Sequence, residues 1–87
     1  MENKNDENYI YYLVAYNLKK QRKLKGLTQS QFAELCSYSD GFIMNIESKK
    51  YHQTFSLGTL WTFAKVLNID IRELFKPIEV DDENIKK

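Results

Sequence analysis

The chain has few of the residues that mark secreted, membrane-spanning or disordered proteins. Its single cysteine, Cys36, rules out an internal disulfide. No apolar run approaches the ~18 residues that a membrane span needs, and the polar start MENKNDEN lacks the apolar core of a signal peptide. Three glycines and one proline among 87 residues, with 43% hydrophobic side chains, favour one small globular domain. We therefore expect a cytoplasmic protein that has no membrane partner.

The sequence also lacks the residue patterns of catalysis and of cofactor or metal binding. It contains no glycine-rich phosphate loop, no paired carboxylate site and no serine–histidine–aspartate arrangement. His52 is the only histidine, and no second histidine or acidic cluster accompanies it. We expect a protein that is not an enzyme and that needs neither a cofactor nor a metal.

The formal net charge of +1 conceals an uneven distribution along the chain. Residues 1–8 and residues 78–87 each carry a net charge of −2. Residues 9–77 contain ten Lys and Arg against five Asp and Glu, which gives +5. The chain therefore divides into a basic domain over residues 9–77 and two acidic tails, a pattern that permits a polyanionic partner without requiring one.

Hydrophobic periodicity predicts five helices and no strands, and hence an all-α fold. The first helix is expected to run from about Tyr9 to Lys25, where Gly26 ends it. The third is expected to end at about Lys49. The predicted starts of the other four helices are capping residues: Thr28 with Gln31, Ser39, Ser56, and Asp70 with Glu73.

Apolar stripes indicate which helix faces are buried. In the second and fourth helices the predicted core residues are Phe32, Ala33, Leu35, Cys36, Leu57, Leu60, Trp61, Ala64 and Leu67. The third helix would bury Ile43 and Ile46, which lie three residues apart. Its opposite face would then point outward with Asp40, Gly41, Met44, Asn45 and Ser48.

The short second and third helices, joined through Ser37 and Tyr38, make a helix-turn-helix, which by itself does not indicate DNA binding. At these residues the chain resembles the phage repressor and Cro type helix-turn-helix family, often called the XRE family. The resemblance covers about residues 14–76 and rests on the run from Leu18 to Arg22 and on GLTQSQFAEL, SDGFIMNIE, SLGTLWTFAKVLNID and RELF. It implies a compact five-helix, lambda-repressor-like domain whose partner is double-stranded DNA.

The resemblance places the third helix in the DNA major groove. The base-reading residues it implies are Asp40, Gly41, Phe42, Met44 and Asn45. The Asn45 amide can offer a donor and an acceptor together to adenine. Phe42 and Met44 either touch thymine methyl groups or pack beside the buried isoleucines. Asp40 either accepts a hydrogen bond from cytosine N4 or only stabilises the helix N-terminus.

Phosphate contacts are expected from donors around this helix, namely Lys19, Gln29, Ser39, Lys49, Lys50, Tyr51 and His52. Gln29 stands where the family's Gln holds a phosphate and steadies the recognition helix. Arg22 and Glu47 match a structural ion pair of the family. The loop from Glu47 to Ser56 departs from the family pattern, because it has eight residues between those two, two more than the common spacing, and lacks the usual Gly and Pro.

The resemblance also implies a symmetric homodimer whose two recognition helices lie about one DNA turn, ~34 Å, apart. Candidate interface residues are Trp61, Phe63, Ile71, Phe75 and Ile78, with Tyr9, Tyr11 and Tyr12 as rivals. Trp61 and Phe63 are interpreted as either core or interface residues. The expected function is transcriptional regulation from an inverted-repeat operator, as a repressor or controller of bacterial, phage or mobile-element genes. RNA polymerase is a possible further partner. A toxin-neutralising autorepressor, a restriction-modification controller and a protein-interaction adaptor without DNA binding remain alternatives.

Overall fold

The structure is a computed structural model that describes residues 6–48 and 53–78. Its elements are α1 (Tyr9–Leu24), α2 (Gln29–Cys36), α3 (Asp40–Glu47), α4 (Leu57–Leu67) and a 3₁₀ helix (Ile71–Phe75). The described ranges contain no strand, so the all-α prediction is confirmed. The fifth predicted helix is a 3₁₀ helix of five residues, a type that occurs mostly in short pieces. Over the same ranges, no helix combines the length and apolarity that crossing a membrane would take.

Polar side chains start α2, α3 and α4 where the sequence predicts. The Thr28 hydroxyl accepts a hydrogen bond from the Gln31 backbone N–H at 3.0 Å, and the Gln31 side chain accepts one from the Thr28 N–H at 2.8 Å. Ser39 and Ser56 each accept from the backbone N–H three residues further on, at 3.1 Å. These bonds satisfy N–H groups that have no partner within the helix.

Asp70 caps the 3₁₀ helix in a slightly different way from the one predicted. Its carboxylate accepts from the backbone N–H of Arg72 at 2.9 Å and pairs with the Arg72 guanidinium at 2.8 Å. The hydrogen bonds from Arg72 lower the pKa of Asp70 to about 2. The cap is therefore ionised across the physiological pH range.

The turn between α2 and α3 depends on one left-handed residue. Ser37 has φ 63° and ψ 36°, a left-handed backbone conformation that residues other than glycine and asparagine rarely adopt. It lets the Tyr38 backbone N–H reach back to the Ala33 carbonyl at 2.9 Å. This tight ending sends the chain directly into α3.

The core is filled from every helix. Its fully buried larger side chains are Phe32, Phe63, Leu18, Ile43, Leu67, Leu74 and Val14. The rings of Phe32 and Phe63 lie 5.4 Å apart and join α2 to α4. Cys36, Ile46, Leu60 and Ala64 are also buried, in line with the predicted stripes.

The predicted burial of three residues was wrong, and a fourth, Phe63, takes the core position rather than the interface position of its two predicted alternatives. Leu35, Leu57 and Trp61 are 58%, 76% and 54% exposed, whereas Phe63, assigned to a candidate dimer interface, is 0% exposed. At ~100° per residue, the buried face of α4 is centred on residues 60, 63, 64 and 67, and Trp61 lies about 100° from Leu60. The sequence contains two overlapping apolar stripes on this helix, and only its packing against α1, α2 and the 3₁₀ helix selects between them.

A buried asparagine attaches the C-terminal segment to α1. The Asn17 side-chain amide shares its two hydrogens among the carbonyls of Leu13 (3.1 Å), Leu74 (3.1 Å) and Lys76 (2.9 Å). Buried carbonyls need such partners because their desolvation is otherwise uncompensated. Asn17 therefore holds the 3₁₀ helix, and with it Leu74, against the core.

Replacing Asn17 should loosen this attachment. Asn17→Ala leaves the carbonyls of Leu74 and Lys76 without this donor, so we expect a loss of about 2–3 kcal/mol in the free energy of unfolding, measured by urea denaturation. Asn17→Asp keeps the side-chain size but removes the donors, and should destabilise at least as much. Lys23→Ala, on the exposed side of α1, is the control. Wild-type stability in both Asn17 variants would contradict this role.

Candidate nucleic-acid interface

Arg22 and Glu47 form a bidentate ion pair between α1 and the last residue of α3. Arg22 Nε lies 2.8 Å from Glu47 Oε2, and Arg22 Nη2 lies 2.8 Å from Glu47 Oε1. The two side chains are only 7% and 1% exposed. Parallel charge-assisted bonds of this kind fix the relative orientation of the two planar groups. The ion pair that the resemblance implies is thus present, and it fixes the orientation of the end of α3 relative to α1.

Two further bonds complete this network. Arg22 Nη1 donates to the Leu27 carbonyl at 2.6 Å, and the Gln29 side-chain amide donates to Glu47 Oε1 at 3.0 Å. In the part of the chain that the structure describes, no buried side-chain nitrogen or oxygen lacks a hydrogen-bond partner. The end of α1, the start of α2 and the end of α3 are therefore joined at one fully satisfied polar site.

The outward face of α3 is held in place by its buried face. Ile43 and Ile46 are buried, while Asp40, Gly41 and Met44 are exposed and Asn45 is half-buried. A Cβ atom added at Gly41 would meet nothing within 4 Å, so the packing of the domain does not require glycine there. This face is accessible to a partner at Asp40, Gly41 and Met44 and partly accessible at Asn45.

Phe42 differs from the other members of the predicted reading set. Its ring lies 5.0 Å from that of Tyr38, and it packs against the core cluster. The Tyr38 hydroxyl in turn lies 2.8 Å from the hydroxyl of Thr59 in α4. Packing is therefore the role that the contacts of Phe42 support, and Met44 is the exposed apolar side chain of this face.

The predicted phosphate-binding residues differ in their exposure, and four of them lie outside the described residues. Lys19 and Ser39 are exposed, and Gln29 is half-buried against Glu47. The bond to Glu47 needs one of the two hydrogens on the Gln29 amide nitrogen, which leaves the other for a second acceptor. Lys49, Lys50, Tyr51 and His52 lie outside the described residues.

Two contacts near this face were not predicted from sequence. The Ser30 hydroxyl donates to Asp40 Oδ2 at 2.7 Å, and the Gln29 amide bonds to Glu47 as described. No local sequence pattern predicts either bond, because the partners are ten and eighteen residues apart and belong to different helices. They appear only once α2 is packed across α3.

Cys36 has no sign of a redox role. It lies in the core, and burial raises the pKa of its thiol to about 11. The thiol is therefore protonated at neutral pH and weakly nucleophilic. This agrees with its prediction as a small core residue.

The fold and this exposed, rigidly held third helix define a helix-turn-helix protein. A family model described as Helix-turn-helix, HTH_3, matches residues 18–74. The chain therefore belongs to the HTH_3 family, the XRE-type helix-turn-helix proteins. It is a DNA-binding transcriptional regulator rather than an enzyme, and its partner is double-stranded DNA.

Several solved structures share the lambda-repressor-like fold. The restriction-modification controller protein C.AhdI from Aeromonas hydrophila is 28% identical, with a TM-score of 0.67 over 75% of this chain and 96% of that one. A hypothetical transcription factor, NHTF from Neisseria, is 21% identical, with a TM-score of 0.73 over 99% and 90%. An HTH_3 family transcriptional regulator from Vibrio cholerae is 24% identical, with a TM-score of 0.72 over 92% and 42%. No curated protein matches the chain.

Removing one partner of the buried Arg22–Glu47 pair should destabilise the domain strongly. Arg22→Met leaves the Glu47 carboxylate buried without its main partner, so we expect a loss of about 3–5 kcal/mol in the free energy of unfolding. The double variant Arg22→Met/Glu47→Leu removes both charges and should be more stable than Arg22→Met alone. Thermal and urea unfolding measure both effects. A double variant less stable than the single one would contradict the assignment.

Proposed function

We propose that this regulator is a homodimer that binds an inverted-repeat operator by placing α3 of each subunit in the major groove. The observation that supports this most strongly is the fixed outward face of α3. Asn45 and Met44 lie on it, and the Arg22–Glu47 pair holds the helix at one angle. An amide paired with adenine and a thioether beside thymine methyl groups are contacts that this face can make.

The size of the reading helix favours a dimer. Eight residues of α3 reach only a few base pairs, and two copies on a palindromic site double the number of contacts. Apolar side chains that one subunit leaves partly uncovered support an interface at the C-terminal end of the domain. These are Trp61, Ile71, Phe75 and Ile78, beside the exposed Leu57.

The tyrosines at the start of α1 are less suited to this interface. Tyr11 packs edge-on against Phe55 of its own subunit, with ring centroids 5.1 Å apart, and Tyr9 lies 6.0 Å from Tyr12. Side chains engaged within the subunit have less surface to offer a second copy. We therefore favour the interface around Trp61.

Among the specific regulatory roles, a restriction-modification controller has the most direct support. The C.AhdI controller matches nearly its whole length to this chain at 28% identity. Such a regulator would occupy its operator and assist or block RNA polymerase by position. An antitoxin-type autorepressor would also bind a toxin. Co-purification of a second protein with the chain would therefore distinguish it from a controller. A DNA-free adaptor is disfavoured because Met44 is exposed and Asn45 is half-exposed on the reading face.

Mobility-shift titration with promoter fragments, including that of its own gene, tests the proposed DNA binding. Neutralising roughly six to ten phosphates should give a log–log salt slope of about −5 to −9. Asn45→Ala should abolish the preference for the operator over random DNA, whereas Lys19→Ala should weaken binding to both alike. Equal affinity of the wild type for operator and random DNA would overturn the proposal.

The dimer is tested by sedimentation of a charge variant. Trp61→Glu puts a carboxylate at the centre of the proposed interface, so we expect a monomer whose operator affinity falls while its folded far-UV spectrum is kept. Leu24→Glu changes an apolar residue on α1 that is more exposed than Trp61, 69% against 54%, and should remain dimeric. A dimeric Trp61→Glu variant would place the interface elsewhere.

A further inference from the structure

The first turn of α2 is bonded to both ends of α3. Gln29 donates to Glu47, the last residue of α3, at 3.0 Å, and its neighbour Ser30 donates to Asp40, the first residue, at 2.7 Å. Both acceptors are carboxylates beside the N-terminus of α2, where the helix dipole favours negative charge. Two consecutive residues thus hold α3 at its two ends.

The two bonds differ in their surroundings. The Glu47 side chain is almost fully buried and belongs to the ion pair with Arg22. Ser30 and Asp40 are both exposed, and an exposed bond contributes little to stability. What the Ser30 bond does fix is the direction of the Asp40 carboxylate on the outward face, next to Gly41.

Asp40 is not needed as the cap of α3. Ser39 already accepts the hydrogen bond from the Phe42 backbone N–H that starts the helix. A carboxylate that only interacted with the helix dipole would need proximity to the N-terminus and no particular side-chain direction. Capping of α3 therefore does not explain the hydrogen bond from Ser30 to Asp40.

A carboxylate held on this face discriminates between bases. When ionised it can only accept hydrogen bonds. In the major groove, cytosine N4 and adenine N6 are donors, whereas guanine O6 and N7 and thymine O4 are acceptors that would repel it. Asp is best matched to cytosine, because the major-groove edge of cytosine offers a donor and no acceptor.

We propose that Ser30 is a positioning residue that directs the Asp40 carboxylate toward the N4 amino group of a cytosine at one base pair of each half-site. Ser30 bonds to Oδ2, which leaves Oδ1 to accept from the base. This inference rests on the proposed operator binding and names one element of the operator sequence. It also gives a reading role to a carboxylate in an otherwise basic domain.

The test is selection from random double-stranded DNA with the purified full chain, followed by titration of the selected site and its single-base variants. For the wild type we expect one position per half-site where replacing cytosine lowers affinity about tenfold. Asp40→Ala should remove the preference at that position alone. Ser30→Ala should reduce it severalfold at the same position, while affinity for random DNA stays within about twofold.

Two variants separate positioning from a general structural effect. Ser30→Thr keeps the hydroxyl and should retain the cytosine preference. Thr62→Ala removes a hydroxyl that bonds to Gly58 within α4 and should leave the selected sequence unchanged. Loss of preference at every position in Ser30→Ala, or an unchanged cytosine preference in Asp40→Ala, would overturn the inference while leaving operator binding intact. A wild type without any sequence preference would overturn the proposed function and this inference together.

Discussion

The orientation of α3 depends on the bidentate pair between Arg22 and Glu47. All three guanidinium nitrogens of Arg22 are used, two on Glu47 and one on the Leu27 carbonyl. Both carboxylate oxygens of Glu47 accept, and one of them also receives the Gln29 amide. Because the site is nearly closed to water, each charge depends on the other for the solvation it has lost.

The pair supplies geometry more than stability. The attraction between two buried charges mostly repays the cost of removing them from water, so apolar side chains of similar size would stabilise the domain comparably. Apolar side chains have no preferred mutual orientation, whereas a guanidinium and a carboxylate meet in one plane at two points. The base reading that we propose for α3 would gain from the second arrangement, because it needs the helix at a defined angle. The bonds from Gln29 and Ser30 extend this control to both ends of α3.

Local features of the fold were predictable because their partners are close in sequence. Thr28, Ser39 and Ser56 each accept from an N–H three residues away, so a short window of sequence contains the whole interaction. The burial of Leu57 and Trp61 was predicted wrongly because both belong to a regular apolar stripe, of which packing buries residues 60, 64 and 67 but not these two. Asn17 was missed since its carbonyl partners lie 57 and 59 residues away.

The sequence by itself determined the all-helical class, the positions of the helix starts, the basic domain between acidic ends and the helix-turn-helix family. These follow from periodicity, capping and motif spacing, each of which is encoded within a few turns of chain. Only the tertiary structure decided which face of α4 is buried, that Phe63 rather than Trp61 fills the core, and that Ser30 and Gln29 bond to opposite ends of α3. Those outcomes depend on how the helices pack together, and packing is a property of the whole core.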